Sequence, residues 1–151
     1  MRAALGMLLL ASCAHGTIEN SDIKDTEENR AIVAAVQDYK DAMESLDADA
    51  VLSLLSESYY EDNANISEND DYDYAQLQQK LHAEFDRTEV LKLTIRVDAV
   101  EVEDSTAWAE VYYDLRARLS YPSGIKWETA SDRTRLRFKY EQERWKLVSG
   151  L

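Results

Sequence analysis

The 151-residue chain has one cysteine, one proline, four glycines and two histidines. A lone cysteine excludes an internal disulfide and a thiolate-built zinc site, which needs several cysteines. His15 and His82 are too few for an all-protein transition-metal cage, so no metal site is expected. The scarce glycines form no phosphate-cradling loop, and no cofactor is expected. Positive charge is also short: 17 Lys and Arg stand against 30 Asp and Glu, for a net charge of −13. Such a surface repels a phosphate backbone, which argues against nucleic acid as a partner. What the chain does have is 45% hydrophobic residues in a length that supports one core, hence a single domain.

The amino terminus is the most specific segment. Arg2 precedes an uncharged run over 3–11 that contains Leu8, Leu9 and Leu10. A positive start and a short apolar run, well under the ~20 residues of a membrane-spanning helix, have the layout of an export signal. The run ends in Leu10-Ala11-Ser12-Cys13, which resembles the lipobox of bacterial lipoproteins. The resemblance implies cleavage before Cys13, lipidation of Cys13 and attachment to the membrane of the bacterial cell envelope. Several acyl chains on one residue anchor stably where a single chain binds marginally. Ala14, not Asp, implies the outer membrane, facing the periplasm. The plainer alternative is a buried cysteine ending a short helix. The expected division is a signal peptide over 1–12, a lipidated cysteine with a flexible acidic tether over 13–28, and a folded domain over 29–151. Loss of 1–12 removes Arg2 alone among the charged residues, leaving −14 on the exported part.

Within the domain, Asp25 and Glu28 suggest a capping box for a helix with Ile32, Val36, Tyr39, Met43 and Leu46 on one face. Asp47 caps a shorter helix with Val51, Leu54 and Leu55 inward. Tyr59-Tyr60 reads as a brief strand, and 61–73 as an acidic loop. Asp73 with Gln76 starts a third helix carrying Leu77, Leu81 and Phe85. After Thr88 the period changes to two. Leu91, Leu93, Ile95 and Val97 alternate with polar residues, and the phase then shifts to Val100 and Val102, which predicts a bulge near Asp98. Turns at Asp104-Ser105 and Pro122-Ser123-Gly124 separate further strands, the last over 144–151. Three helices on a bent, mainly antiparallel sheet make an α+β domain.

This order, with Gln37-Asp38-Tyr39, Leu54-Leu55, Tyr60-Glu61-Asp62 and Arg144-Trp145-Lys146-Leu147-Val148-Ser149, resembles the nuclear transport factor 2-like superfamily over 29–151. Its SnoaL-like and ketosteroid isomerase-like branches are the nearest in pattern. The resemblance implies a cone in which the sheet wraps the first helix and leaves a pocket at the open end. That fold carries isomerases and dehydratases as well as modules with no catalytic activity. In the isomerase pattern Tyr39 matches a hydrogen-bond donor, Asp62 a general base, and Asp132 a protonated second donor.

Asp132 is also notable on its own residues. It shares a strand face with Ala130, Thr134, Leu136 and Phe138, where a carboxyl needs a partner, water or a raised pKa. Tyr113, Tyr121, Trp127 and Phe138 are candidates to line the pocket, while Trp108 and Tyr112, on the polar face of their strand, are candidates for a homodimer interface. Arg133, Arg135, Arg137 and Lys139 should pair with Glu110 or Asp114 on the neighbouring strand. Asp62, Glu68, Asp70, Asp71 and Asp73 suggest calcium, but Asn69-x-Asp71-x-Asp73 lacks the following Gly and has Lys80 where a bidentate Glu belongs. The leading expectation is a non-catalytic envelope lipoprotein whose cone binds a small apolar ligand or an envelope protein. The alternatives are an isomerase or dehydratase that removes a proton next to a carbonyl, and a structural homodimer module.

Overall fold

A computed structural model of the chain describes residues 16–62 and 71–151. Cys13 and its neighbours, and Glu68 and Asp70, lie outside the described residues. Helix α1 (Glu27–Glu44) buries Ile32, Val36 and Ala42 on one stripe. Its cap is Thr26, whose hydroxyl accepts the Asn29 amide at 3.1 Å, and not Asp25. Asp25 is instead drawn to Arg30 at 2.6 Å, so the helix starts one residue later than the capping-box pattern predicts. Asp47 caps α2 (Ala48–Ser53) through the Ala50 amide. Strands β1 (Tyr60–Glu61) and β2 (Tyr72–Asp73) form an antiparallel pair ahead of α3 (Tyr74–Arg87). Both halves of the Asp73–Gln76 capping box are present there.

Four long strands follow as an antiparallel meander: β3 (Thr88–Glu103), β4 (Thr106–Tyr121), β5 (Gly124–Glu141) and β6 (Arg144–Ser149). The register of β3 on β4 shifts between Val97 and Ala99, as the change of apolar phase at Asp98 predicts. The inner face of β4 carries Ala107, Ala109 and Val111, all buried. Their small side chains leave room for α1, which packs Ile32 and Val36 into the same core. The sheet and α2 are closed by backbone bonds: Leu147 donates to the Leu54 carbonyl at 3.0 Å, and Ser56 donates to the Leu147 carbonyl at 2.8 Å.

The stretch before α1 differs from a flexible tether. Thr17 and Lys24 form an antiparallel bridge, the Ile18 amide donates to Ile23 at 2.8 Å, and Asp25 returns a bond to Gly16 at 2.8 Å. Ile23 is buried beside Val36 of α1 and Val97 of β3. Two isoleucines in a polar segment, Ile18 half-buried and Ile23 buried, dock it, because a short turn orders few residues while they leave water.

The free edge of β3 is also covered. Glu44, at the end of α1, accepts the Leu93 amide at 3.0 Å and the Lys40 ammonium at 2.9 Å. The Lys40 hydrogen bond first, and the Leu93 amide second, hold the Glu44 carboxyl below its usual value of 4.5. The unfolded chain therefore binds this proton more readily than the folded one. The contribution is present above 4.5 and lost as pH falls through the folded-state value. Glu44→Gln is expected to cost about 1 kcal/mol at neutral pH and progressively less in acid. Urea unfolding of both proteins across that range checks this, and parallel curves would contradict it.

Candidate functional site

At the open end of the cone lies a cavity of about 570 Å³. Its apolar wall is Leu93 and Ile95 from β3, Val111 from β4, Leu136 from β5 and Leu151. Alternation on the strands places these on the inner face, so the spacing that builds the sheet also builds the wall. The polar lining comes from Tyr39 of α1, Glu61 and Asp62 at β1, Tyr113 of β4, and Asp132, Arg133, Thr134, Arg135 and Arg137 of β5. All three residues singled out for proton chemistry, Tyr39, Asp62 and Asp132, thus line one cavity, together with the predicted pocket residue Tyr113.

Their environments differ. The Tyr39 hydroxyl makes no hydrogen bond among the described residues, and burial, reinforced by the Tyr72 and Tyr113 phenols, raises its pKa. It stays a neutral O–H donor at any working pH. Asp62 is exposed at the mouth of the cavity and is engaged with its surroundings. Asp132 is exposed as well, and its Oδ1 accepts the Arg133 backbone amide at 2.7 Å. Asp132 is therefore not shut into an apolar face: every residue of β5 from 124 to 133 is exposed, because this part of the strand projects beyond the helices that cover the inner face.

Three other predicted lining residues lie elsewhere. Phe138 is 2% exposed and belongs to the core beneath α1, one turn of the sheet away from the opening. Tyr121 sits at the far end of β4, donating to Glu128 at 2.7 Å. Trp127 is 64% exposed on the outer face of the projecting arm. Trp108 and Tyr112 occupy the outer sheet face, each beneath a guanidinium: Arg135 lies 4.1 Å from the Trp108 ring centre and Arg96 5.3 Å from that of Tyr112. Of the cation stripe, Arg135 pairs as expected with Glu110 at 3.3 Å, whereas Arg133 reaches Asp98 at 3.3 Å and Lys139 pairs with Glu141 on its own strand at 3.3 Å. Asp114 pairs with Arg116 on its own strand instead.

The residue missing from the sequence reading is Glu61. It is the buried carboxylate of the site, accepting the Tyr59 hydroxyl at 3.2 Å and the Gly150 amide. Leu151 adds bonds to Tyr59 at 3.3 Å and to Tyr72 at 2.8 Å, so β1, β2 and the segment after β6 form one rigid wall. Gly150 is the hinge of that wall. Its φ is +105°, and a Cβ there would collide with the Arg135 carbonyl. A glycine just past the last strand was the available signal for it.

No protein-family model matches the chain, and no curated protein matches it in sequence. Solved structures do match it. A protein assigned as a dehydratase of the nuclear transport factor 2-like family, from Streptomyces avermitilis, superposes with a TM-score of 0.66 at 14% identity, over 82% of this chain and 93% of that one. The fold is the nuclear transport factor 2-like cone. A protein assigned as a scytalone dehydratase from Novosphingobium aromaticivorans gives 0.68 at 12% identity, over 82% and 80% of the two chains. A ketosteroid isomerase-like protein from Erwinia carotovora atroseptica gives 0.65 at 12%, over 83% and 94%. At these identities the likeness is one of fold, and the chemistry of the cone rests on its own lining.

Gly150→Ala is expected to lower stability by about 1–3 kcal/mol, since the new Cβ must push the Arg135 strand and the Glu61 carboxylate apart. Chemical denaturation checks the loss. A variant as stable as the parent would show that the wall is pliant.

Proposed function

We propose that the cone binds a small, largely apolar molecule carrying an oxygen acceptor, held at an envelope membrane through a lipid on Cys13. The observation that carries the ligand reading is the Tyr39 hydroxyl, which lines a cavity of about 570 Å³ and has no hydrogen-bond partner among the described residues. A ligand carbonyl or ether oxygen would accept from this hydroxyl in place of water. The volume lies in the range of small-molecule pockets. The aliphatic wall supplies affinity for the apolar body. The membrane and periplasmic placement is supported by the lipobox pattern in residues 10–13.

Calorimetric titration with a cyclic ketone and with the matching hydrocarbon tests the ligand reading. Tyr39→Phe is expected to weaken ketone binding about 5–10-fold and to leave the hydrocarbon unaffected. No binding of either by the native protein would end it. The anchor is tested separately, by expressing the chain in a bacterial host. Mass spectrometry should show Cys13 as a diacylated amino terminus in the membrane fraction, and Cys13→Ser should move the protein to the soluble fraction. An unmodified Cys13 would overturn that part.

A second reading is favoured by one observation: Asp62 and Tyr39 face the same cavity. A carboxylate base at the mouth and a neutral donor inside could remove a proton next to a carbonyl while the Tyr39 hydroxyl stabilises the developing oxyanion. Asp132, exposed at the rim of the same cavity, is the third polar side chain within reach of such a substrate. Deuterium exchange at the α-carbon of a bound ketone reads this out. Catalysed exchange that falls at least about 100-fold in Asp62→Asn is the expected result, and no catalysed exchange in the native protein would remove the reading.

A further inference from the structure

Strand β5 pairs with β4 in unbroken register from Gly124 to Lys139, but with β6 only from Arg137 onward. Among the described residues, its other edge is therefore without a strand partner over its first dozen residues. The opposite edge of the sheet is managed differently. There β3 is interrupted by two register shifts and capped by the Glu44 carboxylate at the Leu93 amide. Bulges and blocking side chains of that kind prevent strand addition. The β5 edge has neither: no bulge, no proline, and every side chain from 124 to 133 exposed, including Ile125 at 52% and Trp127 at 64%. A regular edge with a bare aromatic is a template for a further strand.

We infer that the first half of β5 pairs antiparallel with the same segment of a second copy of this chain, about a two-fold axis through Trp127. Three features select this occupant and this register. The Arg135 carbonyl faces Gly150, on the side away from β4, and regular alternation carries that orientation to Trp127. Trp127 therefore offers both its amide and its carbonyl to the free edge, as a hydrogen-bonded pair on the axis requires. In this register Lys126 of each copy lies opposite Glu128 of the other, which makes two opposite-charge pairs on the inner face. Both side chains are already gathered around Tyr121, Glu128 by a hydrogen bond at 2.7 Å and Lys126 with its ammonium 5.3 Å from the ring centre. On the outer face the two Trp127 rings meet across the axis, and Ile125 faces Thr129. A register centred on Ala130 would instead oppose Glu128 to Asp132, and like charges directly opposite destabilise a pair. The result is an eight-stranded sheet across two cones. Both cavities stay open, because β1 and Gly150 lie beyond the paired segment. This contact involves the edge of the sheet and not the face that carries Trp108 and Tyr112.

Sedimentation equilibrium of the full chain carrying Cys13→Ser over a range of concentrations tests the pairing. The expected result is a reversible dimer. Lys126→Glu and Glu128→Lys, each alone, should weaken it about tenfold or more, and the double exchange should restore it. Trp127→Ala should also weaken it, while Trp108→Ala should not. Lys126, Trp127 and Glu128 are exposed and Trp108 is half-buried on the outer sheet face, and circular dichroism of each variant verifies the fold. A monomer at every concentration would overturn the inference. So would a dimer indifferent to the charge exchange, or one lost on Trp108→Ala alone.

Discussion

Two backbone hydrogen bonds at Leu147 hold the cone shut. Its amide and carbonyl, bonded to Leu54 and Ser56, tie the last strand to the segment that leaves α2. That segment leads directly into Tyr59, Glu61 and Asp62, while Leu147 itself is 1% exposed in the core. The position of β1, and so of the cavity mouth, follows from this junction. Glu61 can reach the Gly150 amide only because the two chain segments have been brought alongside one another. Burial of Leu147 and satisfaction of its backbone are coupled, since an unpaired amide in that position would cost as much as the side chain gains.

The cone divides its charge as well as its shape. Acidic residues dominate α1, α2 and the mouth of the cavity, whereas the outer sheet face carries Lys92, Arg96, Arg116, Arg118, Arg133, Arg135 and Arg137 among its acids. The exposed pairs on that face contribute little stability individually. Their effect is to cover aromatic rings. Trp108 and Tyr112 lie beneath guanidinium groups and so present a mixed surface to water rather than a bare apolar patch.

Local chemistry made much of the fold readable. Asp47 and the Asp73–Gln76 pair cap helices where they stand in the sequence, and the apolar phase change marks the bulge at Asp98, because each depends on residues within one turn or one strand. Tyr39 and Tyr113 were legible as cavity residues for the same reason: their periodicity puts them inside. Long-range contacts hid the rest. A two-residue strand has no period, so nothing local distinguishes Glu61 from Asp62 as the buried carboxylate; the Gly150 amide decides it from the far end of the chain. Alternation in β5 looks identical where helices cover its inner face, at Leu136 and Phe138, and where they do not, at Ala130 and Asp132. Thr26 displaced Asp25 as a cap because Arg30 competes for the carboxylate.

The docked turn over 17–24 bears on how the domain would sit at a surface. With Ile23 seated between α1 and β3, the chain is tied from Gly16 onward, so only three residue steps, Cys13 to Gly16, would separate a lipid on Cys13 from the docked turn, in place of the fifteen residues of an open tether. Three residues span about 10 Å at most, close to the thickness of a lipid headgroup layer. A lipid on Cys13 would then act as a short leash that fixes which side of the cone leans on the bilayer. The flank formed by α1 and β3 would be turned inward, and β5, on the other side of the sheet, would be held away from the membrane.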